Sequence, residues 1–235
     1  MDRHEYLFAA SEANELRSLL AQLPEDDVLE RIGLESRLQQ AEARLSGTVL
    51  PELPKKARLT FRGEPVRGSY GIAADFAAKA TSAFSEAVAS VAAALSNRLN
   101  YMGPIPNRSE TQLLITGTAL GSFGFELELP DPPAPEEMSE PLCLEPPVDT
   151  TAIAMEKIER LFELAASGSD DDVAEVVDEI HPRAVKKAAE FLKYVAEQRA
   201  FCGLEFNERS FRFKDVDQTR ASAERLESGN IKEDR

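Results

Sequence analysis

Metal and disulfide chemistry are nearly excluded at the outset. Cysteine occurs twice, at Cys143 and Cys202, and histidine twice, at His4 and His181. A structural zinc site needs three or four such ligands at close spacing, and a disulfide framework needs more cysteines than this. No metal and no cofactor is therefore expected. Positive charge is also scarce: 27 Lys and Arg stand against 42 Asp and Glu, a formal net charge of −15. That excludes a generally basic nucleic-acid coat and leaves only local patches. Long hydrophobic runs are missing as well. None approaches the roughly 18 residues of a membrane span. The start, Met1-Asp2-Arg3-His4-Glu5, lacks the basic flank and apolar stretch of a secretory signal. No membrane contact and a reducing, cytoplasmic location are the expectation.

Catalytic motifs are equally sparse. Gly117-Thr118-Ala119-Leu120-Gly121-Ser122 lacks the glycine spacing and the lysine of a phosphate-binding loop. Neither Ser69 nor Ser122 sits in the Gly-x-Ser-x-Gly pattern of an exposed nucleophile. A serine nucleophile also needs a base, and the one mid-chain histidine, His181, precedes Pro182 and reads as a helix-capping or surface residue. Asp170-Asp171-Asp172 reads as an acidic helix start favoured by the macrodipole, without the spacing of a calcium loop. Enzymatic activity is not the leading expectation.

What is present is helical and strand patterning. Residues 1–50 read as a helical hairpin. Leu16, Leu19, Leu20 and Leu23 stripe the first helix, and Pro24 breaks it. In the second helix Leu34, Leu38, Ala41 and Leu45 fall at i, i+4, i+7 and i+11, a seam of heptad type. Leu34, Leu38 and Leu45 are the candidate association residues.

Residues 51–129 read as an α+β core. Leu59-Thr60-Phe61 has strand character, and Val66 to Ile72 returns through Gly68-Ser69-Tyr70-Gly71. The Ala-rich stretch 73–96 repeats Phe76, Ala80, Phe84, Val88, Val91 and Leu95 at helical spacing. Its other face is so small and apolar that burial on more than one side is expected. Leu113-Leu114-Ile115-Thr116 reads as a strand of the fully buried type. Phe123 to Leu129 alternates as a half-buried strand should. The strings Gly68-Ser69-Tyr70-Gly71-Ile72 and Gly121-Ser122-Phe123-Gly124-Phe125 match, which raises an internal pseudo-repeat as one reading.

Residues 130–151 hold seven prolines, six acids and no base. Proline removes backbone donors and the acids repel, so this stretch reads as a linker and a domain boundary. Residues 152–235 read as a mostly helical C-terminal domain with a short β-hairpin at Leu204–Phe206 and Phe211–Phe213. The expected fold class is thus α+β: a helical hairpin, a small antiparallel sheet on an Ala-rich helix, and a helical C-terminal domain.

Three functions follow in order. The first is a non-enzymatic, cytoplasmic protein-interaction module, a subunit or regulator of a larger assembly. It would form homo-oligomers through the N-terminal hairpin or mask a basic protein partner with its acidic surface; an antitoxin, immunity or defence-complex protein is one version. The second is a small anionic-ligand-binding or enzymatic domain. There the backbone of the paired turns at Ser69 and Ser122 would cradle an anion beside Arg62, Arg67 or Arg108. The third is nucleic-acid contact through the one basic run, Lys55 to Arg67, with Phe61 and Tyr70 as stacking residues.

Overall fold

The structure, a computed structural model, describes residues 3–24, 27–45, 55–119, 123–131 and 149–231. The chain divides into two compact units, Met1–Leu53 and Pro54–Arg235. The first is an antiparallel pair of helices, α1 (Arg3–Gln22) and α2 (Val28–Leu45), packed along their length. Ala9, Ala13 and Leu16 of α1 and Ala41 of α2 are buried in the seam, and Leu34, Leu38 and Leu45 lie half-buried along it. Ion pairs close its sides, Arg17 to Glu42 at 2.8 Å and Arg37 to Glu12 at 3.4 Å.

The second unit is α+β. Its centre is β1 (Lys56–Gly63), in which the α-facing Ala57, Leu59 and Phe61 alternate with the outward Lys56, Arg58 and Arg62. A two-strand ladder, β2 (Val66–Arg67) with β3 (Gly71–Ile72), leads into α3 (Ala74–Leu95). A 3-10 turn at Arg108–Thr111 precedes β4 (Leu114–Thr118) and β5 (Phe123–Glu128). Helices α4 (Thr150–Ser167), α5 (Asp170–Asp178) and α6 (Pro182–Glu197) follow. Strands β6 (Ala200–Phe206) and β7 (Arg209–Arg212) and helix α7 (Val216–Ile231) complete the unit.

Five strands form one antiparallel sheet in the order β4-β5-β1-β6-β7. Leu59 stands opposite Phe125 on one side and Leu204 on the other. The helices pack on one face of this sheet. Phe61 meets Phe76 of α3 at 5.2 Å between ring centroids, Phe84 meets Phe191 of α6 at 5.4 Å, and Phe162 of α4 meets Phe213 at 6.0 Å. No described helix is long and apolar enough to cross a membrane.

The expected break between residues 51–129 and 152–235 is corrected here. The hairpin β6–β7 does not belong to a separate domain: β6 pairs directly with β1, and residues 54–235 are one unit with one core. The Pro-rich stretch falls between two parts of that unit, and Asp149 near its end meets Lys55 at 2.9 Å. Its composition reports only that it cannot pack a core of its own. Which strand pairs with β1 depends on long-range register, which no local window contains.

Candidate functional site

Two surfaces carry unsatisfied apolar area. The first is the N-terminal hairpin. Its buried side chains are mostly alanine, its seam leucines are half-exposed, and Phe8, Leu19 and Ile32 face solvent within the unit. Leu19, expected in the first-helix stripe, is exposed, so that stripe runs through Ala9, Ala13 and Leu16 instead. A unit of about 50 residues buries too small a fraction of its surface for a self-sufficient core.

The second surface lies on the helix-packed face of the sheet. A groove of about 940 Å³ runs beside α3, from Ala74 to Ala89, above Ile115, Phe123 and Phe125. At the helical rise of roughly 1.5 Å per residue, this wall is about 22 Å long. Ala74, Ala78 and Ser82 are exposed along it. The expectation that α3 is buried on several sides therefore holds only for its C-terminal half. β4 is corrected more sharply. Its Leu114 is 40% and its Ile115 57% exposed, although the segment reads as a buried strand.

Of the paired strings, Ile72 from one and Phe123 and Phe125 from the other line this groove, with Arg108 at one wall. They are not structural equivalents. Ser69 and Tyr70 form an exposed turn, closed by Tyr70 N–H donating to Arg67 O at 3.0 Å, and Tyr70 is 91% exposed. Phe123 and Gly124 instead lie within β5. A Cβ on Gly124 would stand 2.2 Å from Leu59 O, whereas one on Gly71 would meet nothing within 4 Å. Glycine thus serves close strand approach in one string and not in the other. Ser122 lies outside the described residues. Arg62 on β1 and Arg67 on β2 do not line the groove, and Arg108 is held by Glu86 at 3.4 Å. Among the described candidates, Arg108 lines the groove, while Ser69, Arg62 and Arg67 do not.

The first part of the basic run, Lys55, Lys56 and Arg58, already faces acids. Arg58 lies 3.3 Å from Glu126 and 3.5 Å from Glu205, and Lys56 lies 3.9 Å from Glu126. Cross-strand register brings these charges together on the outward face of the sheet. A phosphate would have to displace the carboxylates. Phe61 is buried under Phe76 and offers no stacking face.

Of the titratable groups perturbed by their surroundings, Cys202, His181 and Glu159 are candidates for chemistry. Burial holds the Cys202 thiol protonated, so it is an inert core residue. His181 caps α6, its Nδ1 accepting from Arg183 N–H at 3.2 Å; burial, and then the Arg183 charge, push its pKa down. Glu159 on α4 is raised by desolvation, which outweighs the lowering by Arg209 at 3.6 Å. None of the three borders the groove. No cluster of three or more metal-ligating side chains occurs among the described residues. Sequence reasoning missed the groove because its α3 wall is built from small residues whose one signal is the absence of charge. Comparison with protein-family models, with curated proteins and with solved structures found no match to this chain.

Proposed function

We propose that this chain is a non-enzymatic, cytoplasmic protein-interaction module, a subunit or regulator of a larger assembly, that associates with a second copy through its N-terminal hairpin. The observation that carries this reading is the hairpin's deficit of buried surface. It forms a compact unit of its own, yet its larger seam residues Leu34, Leu38 and Leu45 are only half-covered. Two such hairpins packed side by side would make a four-helix bundle and complete the burial. Charge favours a second copy as the occupant. Along α2, Glu30, Arg31, Glu35, Arg37, Glu42 and Arg44 balance in sign, within a chain that is otherwise strongly acidic. A mixed surface is complementary to itself; a single-signed one is not.

Protein contact is favoured over an anionic ligand or nucleic acid because the nearby bases Arg58 and Arg108 already face carboxylates. The test is the solution mass of the purified chain, with and without Leu38→Glu. The expected result is an oligomer whose order falls while the far-ultraviolet spectrum and melting of the sheet unit are kept. A wild-type mass of 25.8 kDa, or a Leu38→Glu chain of unchanged order, would overturn the reading.

A further inference from the structure

We infer that β4 is a second self-association surface, at which two copies pair their β4 strands antiparallel across a twofold axis and continue the sheet from one chain into the next. The inference does not rest on the hairpin. It starts from the position of β4 at the edge of the sheet, where one side of its backbone has no strand partner among the described residues. An open edge is a template for another strand, and sheets normally guard it with charge, proline or short length. β7, at the opposite edge, carries Arg209 and Arg212, and Lys214 follows. β4 is Leu-Ile-Thr-Gly-Thr, and no residue between Glu110 and Glu126 is charged.

Sequence and exposure disagree at this one strand. Neighbouring apolar residues, Leu114 and Ile115, point to opposite faces of a strand, a pattern suited to burial on both. Both are nonetheless exposed, at 40% and 57%. On the helix side the bareness continues into the groove over Phe123 and Phe125 and along Ala78 and Ser82.

The occupant follows from charge. Each chain carries −15, so two copies repel wherever acidic surfaces meet. A seam without charge escapes that repulsion, and 111–125 supplies one. Twofold antiparallel pairing is isologous. It places the two Ile115 side chains on one face of the joined sheet and the two Leu114 side chains on the other, so each face of the seam becomes apolar from both chains. It also brings the two grooves alongside each other on one face of the joined sheet. With an isologous contact at β4 and another at the hairpin, the chain extends beyond a dimer.

The experiment is a set of four full-length chains: wild type, Leu38→Glu, Ile115→Lys and the double variant, with mass measured by light scattering. Ile115 is exposed, so lysine there leaves the fold intact and sets two like charges across the axis; unchanged melting of the sheet unit checks this. The expected pattern is a wild type larger than a dimer, a dimer for each single variant and a monomer for the double. If Leu38→Glu is monomeric, or if it stays dimeric whether or not Ile115→Lys is added, the β4 pairing is overturned while the hairpin is judged by the Ile115→Lys chain alone. A second readout is single-cysteine cross-linking at positions 114 to 118 in a Cys143→Ser background. A cross-linked dimer confined to the positions at the axis supports pairing, because opposed Cα atoms there approach to about 5 Å. Uniform failure at all five positions contradicts it. Capture of a different protein at this edge, with the chain itself monomeric, also contradicts it.

Discussion

The two sides of the sheet flank the same strand and end differently. On one side β6 carries Cys202, Leu204 and Phe206 toward the helices, and Phe213 follows just after β7; all four are buried, with α4, α6 and α7 packed against β6. On the other side β5 and β4 carry Phe123, Phe125, Leu127 and Ile115 toward the same face, and of these only Leu127 is fully buried. Both hairpins pair with β1 through matched registers, Leu59 standing between Phe125 and Leu204. The pairing is symmetric while the cover is not. Strand pairing alone therefore does not decide which apolar surface reaches the core; the placement of helices does. The covered side can end in charge because its apolar residues are already satisfied. The bare side ends in none.

The largest effects should separate these sides. Phe206→Ala removes a ring sealed under the helices, and the loss expected is about 3–5 kcal/mol. Phe123→Ala removes a half-exposed ring, and about 1 kcal/mol is expected at low protein concentration. Urea midpoints at constant m-value measure both. An equal loss at the two positions would break the comparison. A Phe123→Ala loss that grows with protein concentration would sharpen it, since mass action then supplies the missing cover.

Glycine offers a narrower contrast. Gly124→Ala forces a Cβ to 2.2 Å from Leu59 O, so β5 must shift from β1. About 1–3 kcal/mol of destabilisation is expected. Gly71→Ala lies in the matching string with open space around it, and a change within about 0.5 kcal/mol is expected. Thermal melting of the two variants checks the difference; equal effects would restore the pseudo-repeat as a structural one.

Much of this architecture is legible in the sequence. The helical hairpin, the Ala-rich helix, the strands about Leu59 and Phe125 and the C-terminal helices each follow from local period and breakers. Even the cap at His181 is readable from the proline behind it. What was not legible is non-local. The join of β6 to β1 depends on pairing across 143 positions, as between Thr60 and Gly203. The exposure of Leu114 and Ile115 depends on helices that stop short of β4. Apolar pattern reports what a segment needs covered, and it does not report whether its own chain supplies the cover. The match between the two short strings misleads for a related reason: they share composition, while Ser69 and Tyr70 of one lie in a turn and Phe123 and Gly124 of the other lie in a strand.

The smallest effect concerns the charged edge. Arg209 of β7 stands 3.6 Å from Glu159 and 3.6 Å from Glu163, over a Glu159 side chain that is 2% exposed. Glu159 Oε2 has no hydrogen-bond partner among the described residues, so the guanidinium is the cation that compensates it. Because desolvation raises the Glu159 pKa above its ordinary 4.5, the folded chain holds this proton more tightly than the unfolded one. The stability from this group is fully present below pH 4.5 and is lost as pH rises through the folded pKa. Arg209→Ala should deepen that loss by about 1 kcal/mol at neutral pH, a modest figure because Arg209 is itself half-exposed. Glu159→Gln should flatten it, and the double variant should resemble Glu159→Gln alone. Chemical denaturation at pH 4 and pH 7 separates the cases. If Arg209→Ala cost the same at both pH values, Arg209 would be guarding the β7 edge through packing, and the contrast with uncharged β4 would rest on side-chain bulk instead of charge.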